Sequence, residues 1–401
     1  MAVLGAGAGQ AVINEIVFSR TIAWACPLDC RAIVTVIGGG GAGGASYAPT
    51  AGHCILAGGG GAGGVAKSIL TLSSGTSYTS TIGAGGASVS GQTTGTTGGN
   101  STFGVTGATV LMTANGGVGG AYAANNAADS AAGGAGGAAT SDGNIFNAAG
   151  GAGGTAALDA TGADLTSYHV FSCGGGAPGI FGVGHRGGNA TSTVGGYNKT
   201  GCSGGAGVNG EGGDVVIPST TTAVQVTSQG GTMFGKGYDV TATAHAYPAA
   251  GTLSYRQPTD SRPYNFNFRG MYSSAYRQPS GNDEQDMVNT FQGQTTSIFD
   301  GLLGSPEVRT LNNQKSNAGP GAGGVGYAWG PGTDDNGVAM GGLFGAAGGN
   351  GNYTASGVTY GSTGSFGCGG GGAAAYSSSS PYSVSGGGGR GLVVISIVEM
   401  F

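Results

Sequence analysis

The chain has 401 residues, of which 94 are glycine, only 12 are proline and just 8% are charged. Scarce proline and a glycine period that is not strict over long runs exclude a collagen triple helix. A net charge of −5 with so few ionised residues is atypical of disordered chains and gives no reason to expect a nucleic-acid partner.

Three further patterns bear on cellular context. No stretch of 18 or more apolar residues runs without glycine or polar interruptions, so we expect no membrane insertion. The opening residues, MAVLGAGAGQAV, have no basic region and no long apolar region, so we expect no signal peptide. Six cysteines in 401 residues are too few for a disulfide scaffold, which favours a reducing cytoplasm and buried free thiols.

Islands of alternating apolar residues predict β-strands from the start of the chain. The segments EIVFSRTIAWA (15–25) and CRAIVTVI (30–37) are predicted to form an antiparallel pair with a tight connection. The segments VAKSILTL (65–72) and SYTSTIGAGG (77–86), with Gly75 near the turn, predict a second hairpin.

The last strands of this frame come from distant parts of the chain. STFG (101–104) leads into ATVLMTA (108–114), and GLVVISIVEMF (391–401) is the most β-branched segment of all. Strands from opposite ends of the sequence must therefore meet. The predicted fold class is mainly β, with a β-sandwich or jelly-roll-like frame, packed polyglycine II helices and a mixed, glycine-poor insert.

Glycine runs separate these strands, and several show a period of three. Alanines 132, 135 and 138 are spaced by three, as are Ala149, Ala152 and Thr155. Because polyproline II geometry has three residues per turn and no internal hydrogen bonds, such rods can bond to neighbouring rods through their main chains. We expect packed rods pinned by the strand frame, with the third residues facing outward or toward a sheet. The alternative is a set of flexible linkers.

Residues 214–317 have a different composition, with only 10 glycines. DVVIP, TAVQVTS and YDVTATAHAY predict strands, and NDEQDMVNTF predicts a short helix capped by Asn282. The motif YRQP occurs twice, and Tyr and Arg are frequent binding anchors. The alternative is a small local core with arginines at its rim. The candidate binding residues are Tyr255, Arg256, Arg262, Tyr264, Phe266, Phe268, Arg269, Tyr272, Tyr276 and Arg277.

The sequence does not assemble a catalytic site, so we expect a protein that is not an enzyme and needs no cofactor. No glycine-rich segment has the phosphate-loop pattern, and the four histidines lie in unrelated contexts. Asp334 and Asp335 fit a turn better than a calcium site. Cys26 and Cys30 with His53 and Cys54 could supply four zinc ligands, but adjacent ligands are awkward for one metal, and no metal is expected.

The motifs taken together resemble a known family. The sequence runs from FSRTIAWACPLDCRAIVTVIGGGGAGG through GGVAKSILTLSSGTSYTSTIGAGG, GGNSTFG and ATVLMTANGGVGGA to GGGGRGLVVISI. This order is similar to the glycine-rich domain of bacteriophage tail-fibre and tail-tip proteins, best over 16–120 and 365–398. The long glycine blocks also resemble the fibre-tip adhesins of T-even-like phages, whose domains pack polyglycine II helices.

The resemblance implies a virion protein that recognises a host receptor. The strand and composition patterns divide the chain into an N-terminal attachment segment (1–15), a β-frame with glycine-rich blocks (16–213), a glycine-poor insert that is an interaction or receptor-binding candidate (214–317) and a closing glycine-rich block and strand (318–401). The family resemblance does not cover 214–317. Expected partners are other tail or capsid proteins and a host surface glycan or outer-membrane protein, and open strand edges favour association, for example into a trimer.

Two other functions stay open at this point. The first is a capsid fibre, decoration protein or minor tail component without receptor binding. The second is an ice-binding protein, because springtail antifreeze proteins are also packed polyglycine II bundles, although they have nothing like residues 214–317.

Overall fold

The computed structural model describes most of the chain outside the long segment 242–314. The described residues are 14–48, 53–125, 129–159, 167–193, 198–217, 224–228, 230–231, 235–237, 239–241, 315–317, 321, 323–324, 326–329, 338–352, 359–376 and 383–401.

These residues form β-strands joined by turns and extended segments. The strands of the first third are β1 (Asn14–Phe18), β2 (Ile22–Ala25), β3 (Cys30–Ile37), β4 (Ala45–Ala48), β5 (Cys54–Ala57), β6 (Val65–Leu72), β7 (Ser77–Thr81), β8 (Ser101–Val105), β9 (Val110–Ala114) and β10 (Tyr122–Asn125). Those of the middle are β11 (Asp129–Ala131), β12 (Phe146–Ala148), β13 (Ala156–Leu158), β14 (His169–Ser172), β15 (Ala190–Ser192), β16 (Lys199–Cys202), β17 (Val215–Ile217), β18 (Val224–Thr227) and β19 (Val240–Thr241). The last are β20 (Lys315–Asn317), β21 (Tyr327–Trp329), β22 (Val338–Met340), β23 (Asn350–Asn352), β24 (Thr359–Tyr360), β25 (Ala373–Tyr376), β26 (Ser383–Val384) and β27 (Leu392–Met400).

Two sheets pack face to face as a β-sandwich, which we call the frame. One sheet has the order β1-β27-β3-β6-β12 and the other the order β2-β7-β8-β9. Alternate residues of β3 and β27, such as Val34 and Ile395, are buried against Phe103 and Met112 of the second sheet. The closing strand β27 lies between β1 and β3, so both ends of the sequence meet in one sheet. The predicted mainly β, sandwich-like fold is confirmed.

Both predicted local hairpins of the frame are wrong. The segment 15–25 forms two strands, because β1 pairs with β27 whereas β2 pairs with β7. β3 pairs with β27 and β6 instead of with β2. The turn at Gly75, with a φ of 74°, carries the chain from β6 in one sheet to β7 in the other. Sequence alternation identified the strands but does not specify which sheet a strand joins.

The glycine run between β3 and β4 forms a threefold rod, residues 38–44, surrounded by six other segments. Each successive N–H points to a different neighbour and the direction repeats after three residues, as polyproline II geometry requires. Residues 38, 41 and 44 donate to the run 58–64, residues 39 and 42 to the run 93–99, and residues 40 and 43 to the run 386–389. Carbonyls of the same rod accept from residues 86, 117, 120, 370 and 373.

A second rod, residues 58–64, is likewise surrounded by six other segments. It donates to the runs 115–121, 151–154 and 367–370 and accepts from 38–44, 134–137 and 176. Six neighbours around each of two adjacent rods make a hexagonal lattice held by main-chain hydrogen bonds. The predicted packed bundle is therefore confirmed for the described runs, and the linker alternative is wrong there.

Side chains are found mainly where the lattice faces outward. Ala132, Ala135 and Ala138 are exposed, whereas Gly134 and Gly137 between them are buried. The outward orientation expected for every third residue is confirmed for this rod. At the buried position Gly60, a Cβ would overlap the carbonyl oxygen of Gly41, which explains why this position is glycine. Ala42 and Ala62 of the two central rods are buried alanines, so the lattice has room for a methyl group at those positions.

Most of the described residues after β13 form stacked coils, each made of a strand, a rod, a turn, a returning rod and a second strand. Ala190, Val215 and Val240 are successive parallel partners, so this stack repeats every 25 residues. Tyr327, Asn350 and Ala373 are also successive parallel partners, with a repeat of 23 residues. The rods of the two stacks also bond to each other, for example through Gly205 and Gly324, so the coils extend the lattice beside the frame's own rods.

The described part of the predicted insert continues this fold. β17, β18 and β19 lie in the three segments that were predicted to be strands, and they pair in parallel with β15, β16 and β17 respectively. The helix predicted at 282–291 lies outside the described residues. Among the residues that are described there is no helix, and hence none suited to crossing a membrane.

Candidate functional site

The rods give the molecule two distinct ends. Rod 38–44 leaves the frame at β3 and reaches β4, and rod 58–64 returns from β5 to the frame at β6. We call the end of the frame away from the rods the frame pole, and the opposite end, formed by β4, β5 and the strands that pair with them, the distal pole. Asn14 pairs with Ile397 at the frame pole, where the N–H of Phe401 donates to the carbonyl of Asp29 at 3.1 Å.

Nine strands run outward and end at the distal pole. These strands are β4, β10, β13, β15, β17, β19, β21, β23 and β25. After each of them the chain continues into residues outside the described part, and it returns at the beginning of the next strand. The nine intervening ranges are 49–52, 126–128, 160–166, 194–197, 218–223, 242–314, 330–337, 353–358 and 377–382.

Two tyrosines stand at the outer edge of the described distal pole. Tyr168 precedes β14 and Tyr376 ends β25, and their ring centroids lie 3.7 Å apart. The hydrogen bond between their side chains, helped by partial burial, raises the pKa of Tyr168 to about 12. The backbone N–H of Tyr168 also donates to Asn198 Oδ1 at 3.0 Å. These contacts connect the described chain at Tyr168, Asn198 and Tyr376, each of which lies within two residues of an undescribed segment.

Directly after Tyr168 along the chain, a row of three chemically reactive side chains crosses the sheet. Cys54 of β5, His169 of β14 and Lys199 of β16 are successive parallel partners, and none of the three is exposed to solvent. Neither ring nitrogen of His169 has a hydrogen-bond partner. Burial, reinforced by the nearby Lys199 ammonium, lowers the pKa of His169 to about 4. The imidazole is therefore neutral at pH 7.

A network of ion pairs lies along one side of the coils. Asp214 accepts two hydrogen bonds from Arg186, at 2.9 and 3.0 Å, and one from Lys236 at 3.1 Å. Burial by itself raises the pKa of Asp214, but the bonds from Arg186 and from the backbone N–H of Asn189 outweigh it and hold the pKa below its ordinary value. Asn189, Asp214 and Asp239 occupy equivalent positions in successive coils, so this network ties neighbouring coils together.

The cysteines lie inside the molecule rather than at a site. All six are buried, free thiols, as predicted, and burial raises the pKa of Cys173, Cys202 and Cys368 to about 12. The sulfurs of Cys26 and Cys30 are 4.0 Å apart in the frame, whereas Cys54 belongs to a separate buried cluster at the distal pole. The structure therefore does not bring together the four candidate zinc ligands.

All ten candidate binding residues, from Tyr255 to Arg277, lie outside the described residues, as do Asp283, Asp334 and Asp335. Their predicted roles stay predictions. The structure instead draws attention to Tyr168, His169 and Lys199, which the sequence analysis did not single out. The sequence contains only a weak indication of these residues. HVFS and KTGC are two short, buried strands, and each begins with a single polar or charged residue.

The comparisons with known proteins bear on family and not on activity. No curated protein matches the chain. The family model described as a glycine-rich domain matches residues 16–252, which is more than half of the chain and includes the frame strands β2, β3 and β6 to β9, the central rods and the first coils. The chain belongs to the family of proteins that carry this glycine-rich domain.

Proposed function

We propose that this protein is a structural component of a bacteriophage virion, at the tail fibre or tail tip, and that it recognises a receptor on the host surface. It acts by binding, without catalysis or a cofactor. The observation that carries the proposal is the polarity of the molecule, since nine strands end at the distal pole while Asn14 and Phe401 lie at the frame pole.

A lattice held by main-chain bonds suits such a role. Its rods are joined through N–H and carbonyl groups that are the same at every residue, so the packing does not depend on the residues beyond β4 or β25. Segments at the distal pole can then differ in sequence without disturbing their support. The longest of them, 242–314, contains both YRQP motifs and all ten candidate binding residues.

The frame pole is the natural place for attachment to another virion protein. Val398, Met400 and Phe401 are exposed there by 44%, 43% and 68%. They lie beside the start of β1, where residues 1–13 join the frame. We propose that this end contacts the tail or capsid, which leaves the distal pole facing the host.

The test uses the purified chain as a competitor for phage adsorption. Saturating protein is expected to block adsorption to host cells. Replacing Tyr255, Arg256, Tyr276 and Arg277 together by alanine is expected to weaken this competition by roughly tenfold or more, because Tyr and Arg anchors dominate binding energy. Thr71→Ala, on the exposed surface of the frame, is the matched control and is expected to compete normally. Wild-type protein that does not compete at any concentration would contradict receptor recognition.

The second candidate is a capsid fibre, decoration or minor tail protein that contacts only neighbouring subunits. Open strand edges favour it, because β1, β2 and β9 each lie at the edge of a frame sheet. Electron cryo-microscopy of the virion distinguishes the two, since receptor recognition requires the distal pole to face away from the particle. Ice binding, which the exposed row at 132, 135 and 138 favours, is tested directly by a thermal-hysteresis measurement.

A further inference from the structure

We propose that His169 makes the distal pole sensitive to acid, so that protonation of its buried ring opens the sheet β10-β5-β14-β16-β18 at that pole. The opening is a property of the fold and does not depend on the function proposed above. His169 is the first residue of β14, next to the undescribed segment 160–166.

The geometry leaves a protonated ring without compensation. His169 is completely buried, and its two ring nitrogens have no partner that could accept a hydrogen bond from the cation. The same face of β14 carries Phe171, which packs in a cluster with Leu56, Leu158 and Ile217. An imidazolium ion formed in such surroundings loses its hydration and gains neither a counter-ion nor a hydrogen bond.

The charged and titratable groups on the neighbouring elements do not offer relief. β16 places Lys199, a cation, directly beside the ring, and β5 contributes Cys54, preceded by His53. Asp159 follows β13 but is exposed, and its backbone N–H bonds to Ser192 at 2.8 Å. Tyr376 of β25 lies on the other face of the sheet, with Val170. Among the described residues, the one charge that acts on the His169 ring is therefore repulsive.

The direction of the pH effect follows from the lowered pKa. A histidine in the opened state takes up a proton near 6.5, whereas His169 in the closed state does so only near 4. The closed state is therefore fully stable above about pH 6.5 and loses stability as the pH falls from 6.5 toward 4. The opening equilibrium is expected to rise about tenfold per pH step and by roughly 300-fold in all.

Opening at His169 affects the distal surface because β14 and the residue before it contact several neighbouring segments there. β14 pairs with β5 on one side and β16 on the other, and Tyr168 just before it carries the contacts to Tyr376 and Asn198. Release of the first residues of β14 therefore loosens the described chain at Tyr168, Asn198 and Tyr376 together. We infer that this part of the distal pole loosens reversibly in acid.

The test is hydrogen–deuterium exchange of the full chain at pH 7.5, 6.5, 5.5 and 4.5, corrected for the intrinsic exchange rate. Peptides covering 169–172 and 199–202 are expected to lose protection steeply below pH 6.5, while peptides covering β3 and β27 do not. His169→Gln is expected to abolish the slope, because its side chain does not titrate. His185→Gln is the matched control, since His185 lies in the turn at the inner end of its coil and the slope is expected to stay.

A second measurement keeps the proposal testable if His169→Gln does not fold. Lys199→Met removes the neighbouring cation, so the closed state tolerates a protonated His169 better, and residues 169–172 are expected to lose less protection between pH 6.5 and 4.5 than in the wild type. Protection of 169–172 that stays constant between pH 7.5 and 4.5 in the wild type overturns the proposal.

Competition for phage adsorption at the same pH values is measured in parallel. A chain that opens in acid but never competes supports the acid response and contradicts only receptor recognition.

Discussion

At the level of single residues, the lattice requires glycine mainly because neighbouring backbones lie too close to leave room for a Cβ. Most described glycines of the lattice have an ordinary backbone conformation, whereas Gly75 and Gly107, which have positive φ, lie in turns of the frame. What the interior positions share is a neighbouring carbonyl group where a Cβ would stand. Gly40 illustrates this, because its Cβ would overlap the carbonyl of Cys368 while its N–H must donate to Gly389 at 2.8 Å.

Replacing Gly40 by alanine is expected to destabilise the protein by about 3 kcal/mol or more, since a methyl group forces two hydrogen-bonded rods apart. Gly182→Ala is the matched control, because a Cβ at Gly182 meets no atom within 4 Å. The control is expected to change the unfolding free energy by less than about 0.5 kcal/mol. Denaturant unfolding of both variants measures the difference, and equal stability of the two would contradict the crowded lattice.

The sequence predicted this residue-level pattern correctly where side chains recur every third position. Ala132, Ala135 and Ala138 mark the outward side of a rod because a threefold helix returns to the same direction after three residues. It did not identify His169 or Lys199, because the burial of both depends on strands that are far apart in the chain. A single polar residue at the start of a short apolar segment looks the same whether it is exposed or enclosed.

At the level of elements, each coil repeats the hydrogen bonds of the one before it. Ser203 and Ser228 are equivalent buried serines in successive coils. The Ser203 hydroxyl donates to the carbonyl of Gly188 and accepts from the N–H of Gly174 at 3.3 Å. Ser228 makes the same pair of bonds to Gly213 and Gly204. These hydroxyls substitute for main-chain partners where the rod begins, and they connect neighbouring coils.

Ser203→Ala is expected to lower the free energy of unfolding by about 1–3 kcal/mol, because a buried carbonyl and a buried N–H lose their partner. Ser130→Ala, on an exposed strand position, is the matched control and is expected to have almost no effect. Thermal unfolding followed by circular dichroism compares the two variants. A Ser203→Ala protein as stable as the control would show that the hydroxyl contributes no net stability.

At the level of elements, the positions of the frame strands are predictable from the sequence, whereas their pairing was predicted wrongly. VAKSILTL and SYTST were recognised, but the turn at Gly75 connects two sheets rather than two neighbours within one sheet. The 25-residue and 23-residue repeats were missed, although a trace of the first is visible where Ser203 and Ser228, 25 residues apart, begin equivalent rods. Among so many glycines, a weak repeat of 25 is hard to separate from the strong local period of three.

At the level of the whole molecule, one lattice connects two ends with different chemistry. Its strength is collective, since each hydrogen bond contributes about 0.5–1.5 kcal/mol and fixing each residue costs a comparable amount of entropy. The rods therefore depend on the frame at one end and the distal sheets at the other. The glycine runs are expected to be as rigid as the sandwich because their N–H groups are buried and bonded.

Amide exchange of the wild-type protein at neutral pH measures this rigidity. Peptides covering 38–44 and 58–64 are expected to be protected to the same degree as β3 and β27, because the rods cannot open without separating from six neighbours. The exposed residues Ala139, Ser141 and Asp142 provide an internal reference for fast exchange. Exchange of the two rods at random-coil rates would contradict the packed bundle.

The threefold repeat has a consequence for folding. If a rod slides along its axis by three residues, each N–H again faces a carbonyl of the same neighbour, so the lattice alone can hardly distinguish the correct alignment from a shifted one. Only the strands fused to its ends, such as β3 and β4 on either side of 38–44, reject the slipped arrangement. Refolding is therefore expected to pass through many nearly equivalent misaligned intermediates, and the chain has to reach its native alignment by repeated slippage and correction.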